Sequence, residues 1–221
     1  MDEGVAVRVA VVADRRLARS LIARWAADGD CTTTVWGKGS PLARAALRAL
    51  LAQHTGRADW RVVRDPLGKP FVVTPSGEPG PAVSLSHTDG VVAVALAESG
   101  SIGIDVERHR QRDFSALAAQ AFGPLEQARV AVGGEAAFYR IWTLREAMAK
   151  ATSEGLARVL AGDDLTEDVT SHSSATLRLG RFWHLVHLRP ERGCSLSVAH
   201  AGAAERPWMP HWSDIGDMAT P

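Results

Sequence analysis

A chain of 221 residues with 46% hydrophobic and 23% charged side chains can bury one large domain or two small lobes. Its formal net charge of zero excludes a nucleic-acid binder that works through bulk positive charge. No apolar run approaches the roughly 18 residues of a membrane span, and the start, MDEGVAVRVAVVADRR, is unlike a signal peptide, with acids first and Arg8 breaking a short apolar run. Cys31 and Cys194 lie far apart without metal-ligand spacing; one disulfide is possible, and two buried thiols in a reducing cytoplasm is the simpler reading. The expectation is a cytoplasmic protein with neither nucleic-acid nor membrane partners.

Val5 to Ala13 reads as a strand, followed by a helical stretch from Leu17 to Ala27. SPLARAALRALLAQHTG is the clearest helix: Ser40 suits the N-cap, Pro41 the first turn, and Gly56 the stop. Its apolar stripe is Leu42, Ala45, Ala46, Ala49 and Leu50. DWRVVRD predicts a short strand, and the Gly- and Pro-punctuated GKPFVVTPSGEPGPAV predicts loops and turns. AVSLSHTDGVVAVALAE predicts a hairpin with a turn from His87 to Gly90. SIGIDVE is the next strand, after a turn at Ser99-Gly100. Phe114 to Ala121 and Leu125 to Val132 are helical around Gly123-Pro124, and Phe138 to Ser153 is a second strong helix. Strands follow near Ala175 to Leu179, Trp183 to Leu188 and Ser195 to Ala199. The order predicts residues 1–100 and 101–204 as two α+β lobes. Residues 205–221 form an extended or disordered tail, with Trp208 and Trp212 as anchors if it is ordered.

Four stretches carry chemistry. Residues two apart on a strand share a face at about 6.5–7 Å, so Asp105 and Glu107 project together and Ile104 and Val106 point the other way. Paired carboxylates suit a hard cation such as Mg²⁺; the same acids could also open a solvated loop and pair with Arg108 or Arg110. Glu146 and Lys150 are one turn apart on one helix face, as in many surface ion pairs, but Trp142 lies on that face too. His87, after Ser84 and Ser86, suits a phosphate contact, a general base or an ordinary loop histidine; Lys69 sits in the constrained LGKP turn.

Taken in order, GKP, SLSH, IGIDVE, WTLREAMAKA and EGL resemble the Sfp-type 4′-phosphopantetheinyl transferases from Gly68 to Leu156, with weaker agreement around Arg44 and Arg48. The resemblance implies two similar α/β lobes related by a pseudo-twofold axis, with coenzyme A between them. It implies transfer of the phosphopantetheine arm from coenzyme A to a serine of an apo acyl, aryl or peptidyl carrier protein, with release of 3′,5′-ADP. Asp105 and Glu107 would ligate Mg²⁺, or Mn²⁺ in its place, and Glu146 would join the metal or take the serine proton. Lys150 would hold the pyrophosphate, Ser86 and His87 would contact coenzyme A phosphates, and Lys69 would lie near the adenosine 3′-phosphate. Lys38, Arg44 and Arg48 are further candidates for the 3′-phosphate pocket.

The chain departs from the family pattern in placing Arg145, not lysine, before Glu146, and in a sparse basic content in CTTTVWGKGS. The resemblance also implies a monomer, since tandem lobes supply internally what a single-lobe relative gains by oligomerising. Carrier docking is expected between Phe114 and Arg129. Two other readings remain: a non-catalytic coenzyme A or carrier-protein binding module of the same family, and a Mg²⁺-dependent phosphohydrolase acting on a nucleotide.

Overall fold

The computed structural model describes residues 7–26, 41–66, 68–153, 155, 159, 173–178, 181–202 and 209–219. Val5, Ala27, Cys31, Lys38, the cap Ser40, Leu67, Leu156, Leu179 and Trp208, named above, lie outside the described residues. The chain is α+β and divides into two compact units, Met1–Ser101 with Pro210–Pro221, and Ile102–Met209. No helix among the described residues is long and apolar enough to cross a membrane.

The first unit is built on β1 (Val7–Val12), β4 (Ala82–Thr88) and β5 (Val91–Ala97), covered by α1 (Arg15–Trp25) and α2 (Pro41–Thr55). Alternation directs Val83 and Leu85, Val92, Val94 and Leu96, and Ala10 and Val12 into one core with both helices. The apolar stripe of α2 is buried as its spacing predicts, and Ala43, Leu47 and Leu51 are buried as well, so the helix is apolar nearly all round. Gly56 stops it at φ 70, donating to the carbonyl of Ala52 at 2.9 Å, in the left-handed conformation that favours glycine.

Two details of this unit correct the sequence expectations. The stretch expected as loops contains β3 (Pro70–Val73), paired antiparallel with β2 (Arg61–Arg64), because Phe71-Val-Val suits a strand and Pro70 stands at its first position. The hairpin turn is shorter than expected: β4 runs through His87 to Thr88, and Asp89-Gly90 alone makes the turn, with Gly90 at φ 74. His87 is therefore a strand residue paired with Val92, not a turn residue.

The C-terminal stretch returns to this unit. β10 (His211–Trp212) pairs in parallel with Arg8 and Val9 of β1. Trp25 Nε1 donates to the carbonyl of Met218 at 2.6 Å, and Gln53 Nε2 donates to that of Asp214 at 2.7 Å. The buried anchor is Ile215, 2% exposed, whereas Trp212 is 49% exposed.

In the second unit, β6 (Ile102–Arg108), β9 (Cys194–Gly202), β8 (Arg181–Leu188) and β7 (Ser173–Arg178) form an antiparallel sheet in that order. α3 (Phe114–Ala121) and α4 (Pro124–Thr152) cover one face, with a core of Phe138, Ile141, Leu144, Met148, Trp183, Leu185 and Ala199. The two helical stretches expected after Gly123 are continuous in α4 apart from a break at Gly134, whose φ 55 and ψ −137 lie outside the helical region and suit glycine.

Gly103 brings helix and sheet together. A Cβ there would lie 1.9 Å from the Ala147 carbonyl oxygen and 2.7 Å from the Ala151 nitrogen, both backbone atoms of α4. Position 103 thus faces α4, and Asp105 and Glu107, two and four residues on, share that face. Gly103→Ala forces the helix off the sheet and is expected to cost roughly 1–3 kcal/mol, read as a lowered midpoint of chemical denaturation. An unchanged midpoint would mean that α4 does not sit this close to β6.

Candidate active site

Asp105 lies mid-strand in β6 and is 4% exposed, which a carboxylate tolerates only with partners. One partner is Lys150 in the last turn of α4, whose Nζ donates to Asp105 Oδ1 at 2.7 Å and to the Ile104 carbonyl at 3.1 Å. Glu146, one turn earlier on the same helix, is half-buried beside them. Burial holds its carboxyl above the ordinary carboxylate range, the negative charge of Asp105 raises it further, and the Lys150 ammonium opposes both. In the metal-free protein Glu146 is expected to titrate above a normal glutamate, lower in Asp105→Asn and higher in Lys150→Ala. NMR of its side-chain carbonyl checks the order, and the reverse order would contradict this arrangement of charges.

Glu107, on the face of β6 turned to α4, lines a pocket of about 370 Å³. Arg112, Leu117, Phe138, Tyr139 and Trp142 contribute to its walls. Trp142 stacks on Phe138 at 6.1 Å between ring centroids and 10° between planes, so the helix face bearing Glu146 continues into an aromatic wall. Cys194, at the start of β9, is a buried free thiol pushed up to about 11, chiefly by burial, and is chemically quiet.

The donors that Asp105 and Glu146 offer at this corner are carboxylate oxygens, the chemistry a divalent hard cation fits. Among the described residues no three His, Cys, Asp or Glu side chains gather as a ready-made metal site.

Arg145, the departure from the family pattern, turns away from this corner. Its guanidinium is fully buried and grips the equally buried Glu126 with Nε 3.0 Å and Nη2 2.7 Å from Oε2. Its Nη1 donates to the Val159 carbonyl. The planar fork that distinguishes arginine from lysine is engaged here with Glu126, across the Gly134 break. Sequence reading missed Glu126 because nothing in PLEQ marks a glutamate as buried.

The remaining candidates belong to the first unit. Lys69 is half-buried, and burial lowers its pKa, opposed by Asp65; its backbone N–H bonds Asp65 Oδ1 at 2.8 Å. Ser86 is buried, on the strand face opposite His87, which is half-buried. Arg48 Nη1 donates to the Trp25 carbonyl at 3.0 Å, and Arg44 is half-buried one turn earlier on α2.

An α+β chain that sets a strand carboxylate, a helix carboxylate and a lysine in one corner is equipped to handle a polyanionic substrate. Residues 101–200, which carry that corner, match the family model of the 4′-phosphopantetheinyl transferase superfamily. The chain is 30% identical over 176 residues to the 4′-phosphopantetheinyl transferase HetI of Nostoc sp., covering 76% of this chain and 73% of that protein. It is 32% identical over 164 residues to the 4′-phosphopantetheinyl transferase AcpT of Salmonella typhi, covering 65% of this chain and 85% of that protein. A phosphopantetheinyl transferase of Thraustochytrium sp. is 29% identical over 147 residues, covering 58% and 50% of the two chains. The chain belongs to the 4′-phosphopantetheinyl transferase superfamily and is an enzyme of the phosphopantetheinyl-transferring class.

Proposed function

We propose that this enzyme moves the 4′-phosphopantetheine arm of coenzyme A onto a serine of an apo carrier protein, with Mg²⁺ at the corner of Asp105 and Glu146 and release of 3′,5′-ADP. The observation that carries the reading is the meeting of Asp105, Glu146 and Lys150 from β6 and α4. The ion, Mg²⁺ or Mn²⁺, would neutralise charge on the bridging and leaving oxygens of the pyrophosphate. Asp105 and Glu146 are its proposed ligands, with Glu107 as the third.

Glu146 is also the proposed acceptor of the serine proton, directly or through water. Burial and the charge of Asp105 raise its pKa, which makes it a stronger base than an ordinary glutamate. Lys150 would balance charge on the pyrophosphate from its place on Asp105. Lys69, Ser86 and His87, with Arg44, Arg48 and Lys38, are the proposed contacts for the nucleotide phosphates. The exposed Leu125 and Arg129 fit a docking surface for an acidic helical carrier, and the working form is proposed to be a monomer in the cytoplasm.

Analysis of the nucleotide released tests this against the two other readings. Transfer yields 3′,5′-ADP only when an apo carrier is present and in equal amount to the carrier modified. Phosphate released without a carrier would favour a phosphohydrolase, and coenzyme A bound without turnover on any carrier would favour a binding module.

A further inference from the structure

His109 follows β6 by one residue and has its ring held on three sides. Nε2 lies 2.9 Å from Ser195 Oγ on β9, and Nδ1 lies 3.0 Å from Glu135 Oε1, the residue that resumes α4 after the Gly134 break. Its face stacks on Tyr139 with centroids 4.4 Å apart and planes within 5°. Its backbone N–H donates to the Gly193 carbonyl at 2.7 Å, and the Tyr139 hydroxyl accepts from the N–H of the next residue, Arg110, at 2.9 Å. One side chain thus ties the end of β6 to β9 and to the restart of α4.

Two of the tied groups bear on the site. Ser195 is the residue directly opposite Glu107 in the β6–β9 ladder. Tyr139, whose ring backs onto His109, lines the same pocket as Glu107. We infer that His109 is a positioning residue of the transfer site, clamped by Glu135, Ser195 and Tyr139 so that it aims Glu107 and braces the aromatic wall beside it. The inference rests on the transferase reading above and on Glu107 as a ligand of the ion. Groups that orient metal ligands from behind typically change metal affinity or activity 10–100-fold when removed.

The test compares His109→Ala, His109→Gln and His109→Asn in the full chain. Mn²⁺ binding is read from the spectrum of the free ion, and the Mg²⁺ concentration giving half-maximal transfer is measured separately. His109→Ala is expected to weaken both by roughly 10-fold, with kcat at saturating Mg²⁺ within about 3-fold of the parent. Gln, which places an amide near the Nε2 position and keeps the link to Ser195, is expected to recover most of the loss. Asn, which keeps only the link to Glu135, recovers less.

If the Ala variant does not fold, Ser195→Ala, which removes one hydrogen bond and no ring, carries the same expectation at roughly 3-fold. A lowered denaturation midpoint with both metal constants unchanged would make His109 scaffold only and overturn the inference, as would Gln and Ala variants that behave alike. A parent chain that neither binds Mn²⁺ nor moves an arm overturns the transferase reading together with the inference. Unchanged metal constants in an active parent series overturn the inference alone.

Discussion

Asp105→Asn is expected to lower arm transfer by at least about 10³-fold while leaving the protein folded. Asp105 is 4% exposed in β6 and its Oδ1 holds Lys150 Nζ at 2.7 Å, so it anchors an ammonium that faces both acids. Asparagine keeps the shape and an oxygen for Lys150 but removes the charge. The corner then loses a proposed ligand for the ion, and Glu146 loses the charged neighbour that adds to the effect of burial on its pKa. A carboxyl released from that repulsion is a weaker base, so metal binding and proton transfer fall together. Circular dichroism and the denaturation midpoint separate this from unfolding. A folded Asp105→Asn protein that transfers at the parental rate would remove the strand acid from the mechanism.

Glu126→Ala is expected to cost about 3–5 kcal/mol of stability, the largest loss from any single side chain proposed for substitution. Arg145 and Glu126 are each 0% exposed and joined by three hydrogen bonds of 3.1, 3.0 and 2.7 Å. Removing the carboxylate takes the anionic partner from a guanidinium in the core and leaves its desolvation penalty poorly offset. The pair also fixes the two segments of α4 on either side of Gly134, and the second segment carries Glu146 and Lys150. Transfer at a temperature where the variant is folded should fall less than in Asp105→Asn, because neither residue faces the substrate corner. Glu126→Leu combined with Arg145→Met, apolar on both sides, should regain part of the stability, since a buried ion pair is often replaceable by packed apolar groups. Urea melts of the single and double variants check both statements; equal stability of parent and Glu126→Ala would show that the pair contributes nothing net.

What could be read from the sequence follows from periodicity. The period of two in IGIDVE places Asp105 and Glu107 on one face, and that face does turn to α4, as Gly103 and Lys150 show. The four-residue spacing of Glu146 and Lys150, the burial of Ile141, Leu144, Met148 and Ala151, and the stop at Gly56 follow the same local rules. Long-range partners did not show. Lys150 reaches back 45 residues to Asp105, and Arg145 pairs with Glu126 across a helix break, where the i,i+4 rule says nothing. Proline and glycine punctuation hid β3, because an edge strand accepts Pro70 at its first position. A turn of two residues where four were expected moved His87 into a strand, since Gly90 alone supplies the positive φ. His109 carried no signal, because each of its contacts depends on where β9 and α4 return.

Transfer of the phosphopantetheine arm with a divalent ion at Asp105 and Glu146, as proposed, has a direct readout. The most direct measurement is the intact mass of an apo carrier protein after incubation with the full chain, coenzyme A and Mg²⁺, beside a chelated control and the Asp105→Asn variant. A carrier heavier by one phosphopantetheine is expected in the first reaction and an unchanged carrier in the other two. A carrier modified equally in all three would contradict it.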